Sequence, residues 1–166
     1  MSASSTAQRP RVLLVDDHPA VLRQAAALLA DEFVVVGALP DGRTVPDTIR
    51  AGHPEVVVLD ITLPDACGIE LARQLACGAP APKIVMLTVH ADPDYVRAAF
   101  AAGALGYVVK SRLACDLIPA LHAVLGGRSF ISPVPSLEEP AGPQEAMAAR
   151  TCAGFRPLST ATDKQT

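Results

Sequence analysis

A chain of 166 residues, 50 % hydrophobic and with a formal net charge of −3, suffices for one globular domain with some chain to spare and is too short for two full domains. The longest apolar runs, near Val12–Val15, Phe33–Leu39 and Val56–Leu59, fall far short of a bilayer span, and Met1–Pro10 lacks the order of a secretory signal, so a cytoplasmic protein with no membrane partner is expected. An acidic balance, no Lys/Arg cluster and only two tyrosines and four phenylalanines leave no footprint for gripping nucleic acid, so no direct DNA binding is expected from this chain.

Short β-branched runs followed by helical periodicity recur along the chain and predict five βα units around a parallel sheet. Val12–Val15 is a continuous apolar run, as a strand covered on both faces should be. Val21, Leu22, Ala25, Leu28 and Leu29 then recur at helical spacing behind Pro19, which suits a first helical turn. The second unit pairs Phe33–Gly37 with a weaker helix from about Arg43 to Arg50, opened by Asp41-Gly42 and interrupted early by Pro46. The third pairs Val56–Leu59 with a helix through Ile69, Leu71 and Leu75 ending near Gly78, and the loop Asp60–Gly68 lies between them.

In the fourth unit Lys83–Thr88 is a strand, Asp92 and Pro93 read as N-cap and N1, Val96, Ala99 and Phe100 follow, and Gly103 caps the helix end. The fifth joins Gly106–Val109 to Leu113, Leu117, Ile118, Leu121, Val124 and Leu125 before Gly126-Gly127, with Pro119 expected to bend or weaken the helix. Periodicity stops past Ile131. This divides the chain into a flexible arm (1–10), a βα body (11–131) and a proline-containing tail (132–166) expected to be disordered, with a short helix around Glu138–Arg150 the one element it suggests. Cys67, Cys77, Cys115 and Cys152 match neither a zinc spacing nor a disulfide framework and read as small apolar residues in a reducing compartment.

In an open parallel sheet, binding residues gather beyond the carboxyl ends of the strands, where strand order reverses. The first strand ends in Asp16-Asp17, the third in Asp60, the fourth in Thr88 and the fifth in Lys110, whereas the second ends in Gly37-Ala38 and offers no comparable group, as expected of an outer strand in the order 2-1-3-4-5. Singly, each has a plain explanation: Asp17 as a helix cap, Asp60 in an Asx turn, Thr88 as a strand residue, Lys110 as solvated surface. Together, three carboxylates at one sheet edge would repel unless a cation sat among them, and an oxygen-only set with room for water suits Mg2+ better than zinc. A carboxylate between a metal ion and an ammonium can attack phosphorus, which would make Asp60 a nucleophile and Lys110 and Thr88 binders of the product.

Asp16-Asp17, Val-Val-Leu-Asp60 followed by Pro64 and Gly68, Leu-Thr88-Val-His90 and Gly106-Tyr107-Val-Val-Lys110 resemble the receiver domain of bacterial two-component response regulators over about Arg11 to Ile131. The strings around His18-Pro19 and Ala102–Tyr107 are most similar to receivers of the NarL/FixJ (LuxR-type) subfamily, which regulate transcription. The resemblance implies a CheY-like, flavodoxin-like (βα)5 doubly wound fold and a signalling phosphoacceptor that assists its own phosphorylation and dephosphorylation, rather than an enzyme. It implies that Asp60 accepts a phosphoryl group from a sensor histidine kinase, and that Asp17, Asp60 and the backbone carbonyl of Thr62 ligate Mg2+, with Asp16 acting through water. It further implies that Lys110 pairs with Asp60 and then with the phosphoryl group, Thr88 is the switch hydroxyl, and Tyr107 is the ring that turns inward after it. The expected partners are the kinase and either a second copy or another regulator protein.

Four departures stand out. Ser111 replaces the proline usual in the family after the lysine, as is common in the LuxR-type subfamily, Leu63 replaces the usual methionine before Pro64, Pro119 lies within the last helix, and residues 132–166 lack the paired amphipathic helices of a LuxR-type output domain. The missing output and Pro119 keep open an alternative, a receiver fold that binds partners without phosphorylation. A haloacid-dehalogenase-like phosphatase is disfavoured because Thr62 stands where a second aspartate belongs, and no GxGxxG follows the first strand to bind a dinucleotide.

Overall fold

The apolar runs and helical stripes fold into alternating strands and helices in the order the sequence predicts. The structure, a computed structural model, describes residues 7–134. Its elements are β1 (Arg11–Val15), α1 (Pro19–Leu29), β2 (Val34–Leu39), α2 (Val45–Gly52), β3 (Val56–Leu59), α3 (Gly68–Ala76), β4 (Lys83–Thr88), α4 (Pro93–Ala101), β5 (Gly106–Val109), a 3-10 turn (Lys110–Arg112), α5 (Leu113–Leu125) and β6 (Phe130–Ile131). All strand pairs are parallel and the sheet order is β2-β1-β3-β4-β5-β6. The expected 2-1-3-4-5 order is present, and the correction is β6, which extends the sheet beyond β5.

Two residues are too few to show periodicity, which is why β6 escaped the sequence. Gly127, at φ 80°, lets the chain turn back, after which the Phe130 amide donates to Leu105 O (3.0 Å) and the Ser132 amide to Tyr107 O (2.8 Å). Ser132 and Val134 are buried, so packing continues past Ile131, where the sequence placed the start of the tail. Residues 1–6 and the helix expected around 138–150 lie outside the described residues.

Alternation along the strands divides the core between the two sheet faces. Leu13, Val15, Val57, Leu59, Ile84, Met86 and Tyr107 pack with Ile69, Val96 and Ala99 on the face covered by α2, α3 and α4. Val12, Leu14, Val58, Val85, Leu87 and Val108 pack with Leu29, Leu117 and Leu121 under α1 and α5. Each large aliphatic side chain so buried contributes about 2 kcal/mol. That burial explains why α5 runs unbroken through Pro119: Leu117, Ala120, Leu121 and Val124 are all buried, and this packing outweighs the one backbone hydrogen bond the proline cannot donate and the crowding of its ring.

The fourth unit matches its sequence reading in detail, since Asp92 accepts from the Asp94 amide (2.8 Å) and Gly103 follows α4 at φ 105°. The second helix starts at Val45, two residues later than expected. Leu63 fills the position usual for methionine and is buried in the core. Cys77 and Cys115 are exposed free thiols and Cys67 is disulfide-bonded, so the cysteines are not simply small buried residues. No helix among the described residues is long and apolar enough to cross a membrane.

Candidate functional site

The β1–β3 register puts Val15 opposite Leu59, so the residues that follow, Asp16 and Asp60, leave the sheet side by side. The Asp60 amide donates to Val15 O (2.9 Å), locking that placement. β5 lies two strands away, and its end delivers Lys110, whose long side chain spans the gap. Lys110 Nζ donates to Asp60 Oδ2 (3.0 Å) and forms an ion pair with Asp16 Oδ2 (2.7 Å). Both carboxylates are buried.

The plain explanations account for part of this. Asp60 does close an Asx-type turn, because Oδ1 accepts from the Thr62 amide (3.2 Å), yet its other oxygen faces Lys110. Asp17 is not a cap: His18 holds the N-cap position of α1, without a side-chain cap bond. Asp16, Asp17, His18 and Asp60 each offer a ligand atom, and these lie within 4.8 Å of one another. His18 is the member sequence reasoning missed. Its Nδ1 stands 3.0 Å from Asp16 Oδ1 and 2.9 Å from Asp17 Oδ1, and its position directly after the aspartate pair was the only signal.

Charge at this edge is unbalanced. Burial pushes the Asp60 carboxyl above the ordinary carboxylate range; Lys110 opposes that, and Asp16 adds to it. Burial also works against the Lys110 ammonium, but the Asp60 and Asp16 carboxylates outweigh it and hold that group above the usual lysine value. One lysine facing three carboxylates leaves negative charge uncompensated, and a hard divalent cation coordinated by oxygen matches that donor set.

Thr88 is fully buried at the end of β4, where its Oγ1 accepts from the His90 amide (3.2 Å). Tyr107 is also fully buried, and its hydroxyl donates to His90 O (2.9 Å). The ring therefore already lies inward, instead of resting at the rim with its hydroxyl in water. Burial pushes the Tyr107 phenol far up, so it remains a neutral donor. Both proposed switch residues thus meet at the backbone of one residue, His90, one through its amide and the other through its carbonyl. The His90 ring stacks on Tyr95 (centroids 4.3 Å apart, 13° between planes), and Nε2 lies 3.4 Å from Thr62 Oγ1. Burial pushes its imidazole down, with Asp92 opposing and Lys110 assisting. The sequence contained His90 only as part of a motif, with nothing to indicate that it joins the two loops at the rim.

Comparison with known proteins agrees with this geometry. The response regulator receiver domain family matches residues 12–122. The DNA-binding transcriptional activator DevR/DosR of Mycobacterium tuberculosis is 40 % identical over 123 residues, covering 73 % of this chain and 57 % of that protein. The transcriptional regulatory protein DegU of Brevibacillus brevis is 32 % identical over 125 residues, covering 74 % and 53 %. The chain thus spans somewhat more than half the length of these curated relatives. Among solved structures, a two-component response regulator of the LuxR family from Aurantimonas superposes with TM-score 0.71 at 34 % identity, covering 79 % of this chain and 94 % of that one. The isolated receiver of RcsB from Salmonella enterica, solved with a phosphomimetic, gives 0.71 at 26 %, covering 78 % and 98 %. The protein belongs to the response regulator receiver domain family.

Proposed function

We propose that this chain is a Mg2+-dependent phosphoacceptor of a two-component pathway, phosphorylated on Asp60 by a sensor histidine kinase. The observation that carries the reading is Lys110 Nζ held between the buried carboxylates of Asp16 and Asp60. An Asp60 carboxylate oxygen attacks the phosphorus of a phosphohistidine; a P–O bond forms, the P–N bond breaks, and the departing imidazole keeps the electron pair and takes up a proton. Lys110 offsets the charge that builds on the phosphoryl oxygens. Asp17, Asp60 and the Thr62 carbonyl would hold Mg2+, with Asp16 acting through water, and the bound ion would supply further charge neutralisation there.

The product carries about −1.5 to −2 charge. When the Thr88 hydroxyl turns to bind it, the bond from the His90 amide is lost and the loop carrying the Tyr107 partner shifts, which changes the neighbouring surface. Moving such a surface from mostly off to mostly on takes about 5.5 kcal/mol of differential binding, and a dianion meeting an ammonium, a hydroxyl and a metal is of that scale. The readout is contact with a second copy or another regulator, and through it transcription.

Incubating the full chain with Mg2+ and acetyl phosphate is expected to add one phosphate to the wild type and none to Asp60→Asn, read by intact mass. An unmodified wild type would overturn the proposal. A second reading, constitutive binding through the receiver surface, is favoured by the inward Tyr107 ring. Equal partner affinity of wild type and Asp60→Ala would select it.

A further inference from the structure

Lys110 has to hold its ammonium against two carboxylates from different strands, yet it opens a 3-10 turn in which Ser111 provides none of the rigidity of a proline. The bonds that fix this turn come from elsewhere. On its far side, Arg112 donates Nε (2.7 Å) and Nη2 (3.2 Å) to the two oxygens of Asp116. On its near side, the amide of Val109 donates to Ser132 Oγ (3.1 Å), and that hydroxyl in turn donates to Asp116 Oδ2 (2.7 Å). Ser132 is itself placed by its amide, which donates to Tyr107 O (2.8 Å).

Ser132 is fully buried and Asp116 is 6 % exposed, although one follows β6 and the other sits on the first turn of α5. A hydroxyl used as donor and acceptor at once has a single orientation, and a buried carboxylate receiving three charge-assisted or hydroxyl bonds is held stiffly. The residues immediately before Lys110 and two after it are therefore tied to one carboxylate. We propose that Ser132, Asp116 and Arg112 form a clamp that positions Lys110 toward Asp16 and Asp60, in place of the missing proline. The three are positioning residues, and their role in phosphoryl transfer rests on the reading of Lys110 given above. Because Ser132 is the first residue past β6, the same atoms connect the chain beyond the sheet with the lysine.

Competitive acylation of the full 166-residue chain with a limiting amine reagent, read by mass spectrometry as Lys110 relative to Lys83, tests the clamp without requiring phosphorylation. Lys83 begins β4 at the opposite end of the sheet and serves as the internal reference. Ser132→Ala, which removes a buried hydroxyl bonded on both sides, is expected to raise Lys110 labelling about tenfold, and Arg112→Gln, which loosens a part-exposed pair, about threefold, with Arg112→Lys between Arg112→Gln and wild type. Arg112 is 42 % exposed, so its variants fold even if Ser132→Ala does not. Unchanged Lys110 labelling in Arg112→Gln would overturn the clamp.

In the phosphorylation assay, Ser132→Ala and Arg112→Gln are expected to lower the rate at saturating acetyl phosphate without changing the half-saturating concentration, and to add nothing to the loss caused by Lys110→Ala. A full further loss in the Lys110→Ala background would overturn action through the lysine. Raised labelling in a protein whose wild type takes no phosphate supports the clamp and removes the proposed function, so the two failures are distinct.

Discussion

Tyr107 is a buried phenol whose one polar atom finds one partner, the His90 carbonyl, and that economy makes its contribution measurable. Tyr107→Phe removes the hydroxyl and keeps the ring packing, leaving the half-buried His90 carbonyl without its donor. The expected cost is about 1–2 kcal/mol of unfolding free energy by urea titration, with an unchanged slope. An unchanged midpoint would show that water replaces the bond.

Asp116 permits a pH test at the same scale. Burial raises its carboxyl, but Arg112 and Ser132 outweigh that and hold it below the ordinary value of 3.8. A depressed folded value means that the ionised carboxylate stabilises the fold above the unfolded value, and that this contribution fades as pH falls through the folded one. The stability difference between wild type and Asp116→Asn is therefore expected to be largest above about pH 5 and to shrink towards pH 3, measured by urea unfolding across that range. A difference that stays constant with pH would show that the pair does not shift the titration.

At the scale of elements, the β3–α3 loop returns tightly to the strand it left. A Cβ on Gly68 would lie 1.9 Å from Asp60 O, and the Gly68 amide donates to Ile61 O (2.6 Å). Neither backbone can yield without moving Asp60. Gly68→Ala is thus expected to cost about 2 kcal/mol or more and to weaken phosphorylation together with stability, read by thermal melting and by intact mass. The sequence showed this loop between a strand and a helix and marked its glycine, because turn residues declare themselves locally. It also revealed every strand end that bears a site residue, since apolar runs stop where the polar group begins.

What the sequence withheld was whatever depends on distance in three dimensions. His18 joins the carboxylates, His90 joins two loops, and Ser132 reaches back to Asp116 only because β6 exists, and β6 is stabilised by pairing with β5 rather than by any pattern of its own. Pro119 illustrates the converse. Apolar spacing predicted α5 and Pro119 alone spoke for a bend or a weakened turn, yet the helix runs continuously from Leu113 to Leu125 on its buried face.

At the scale of the whole molecule, the fold concentrates negative charge at one sheet edge and accepts the energetic cost there. Asp60 titrates above the ordinary carboxylate value, mainly through burial, so at neutral pH its ionised form opposes folding; the penalty is absent at low pH and develops as pH rises from the unfolded value through the folded one. Removing that charge should then stabilise the protein when no divalent ion is present. Asp60→Asn is expected to melt higher than wild type at pH 7 in chelator and to lose much of the gain that Mg2+ gives the wild type. That gain is about 2.7 kcal/mol at a hundred times the dissociation constant. Asp17 is partly exposed and touches His18 without entering the core, so Asp17→Asn should leave the melting point in chelator nearly unchanged while reducing the Mg2+ increment. A wild type whose melting point ignores Mg2+ would mean that no divalent ion enters the cluster of Asp16, Asp17 and Asp60, and would overturn the Mg2+ part of the proposed function.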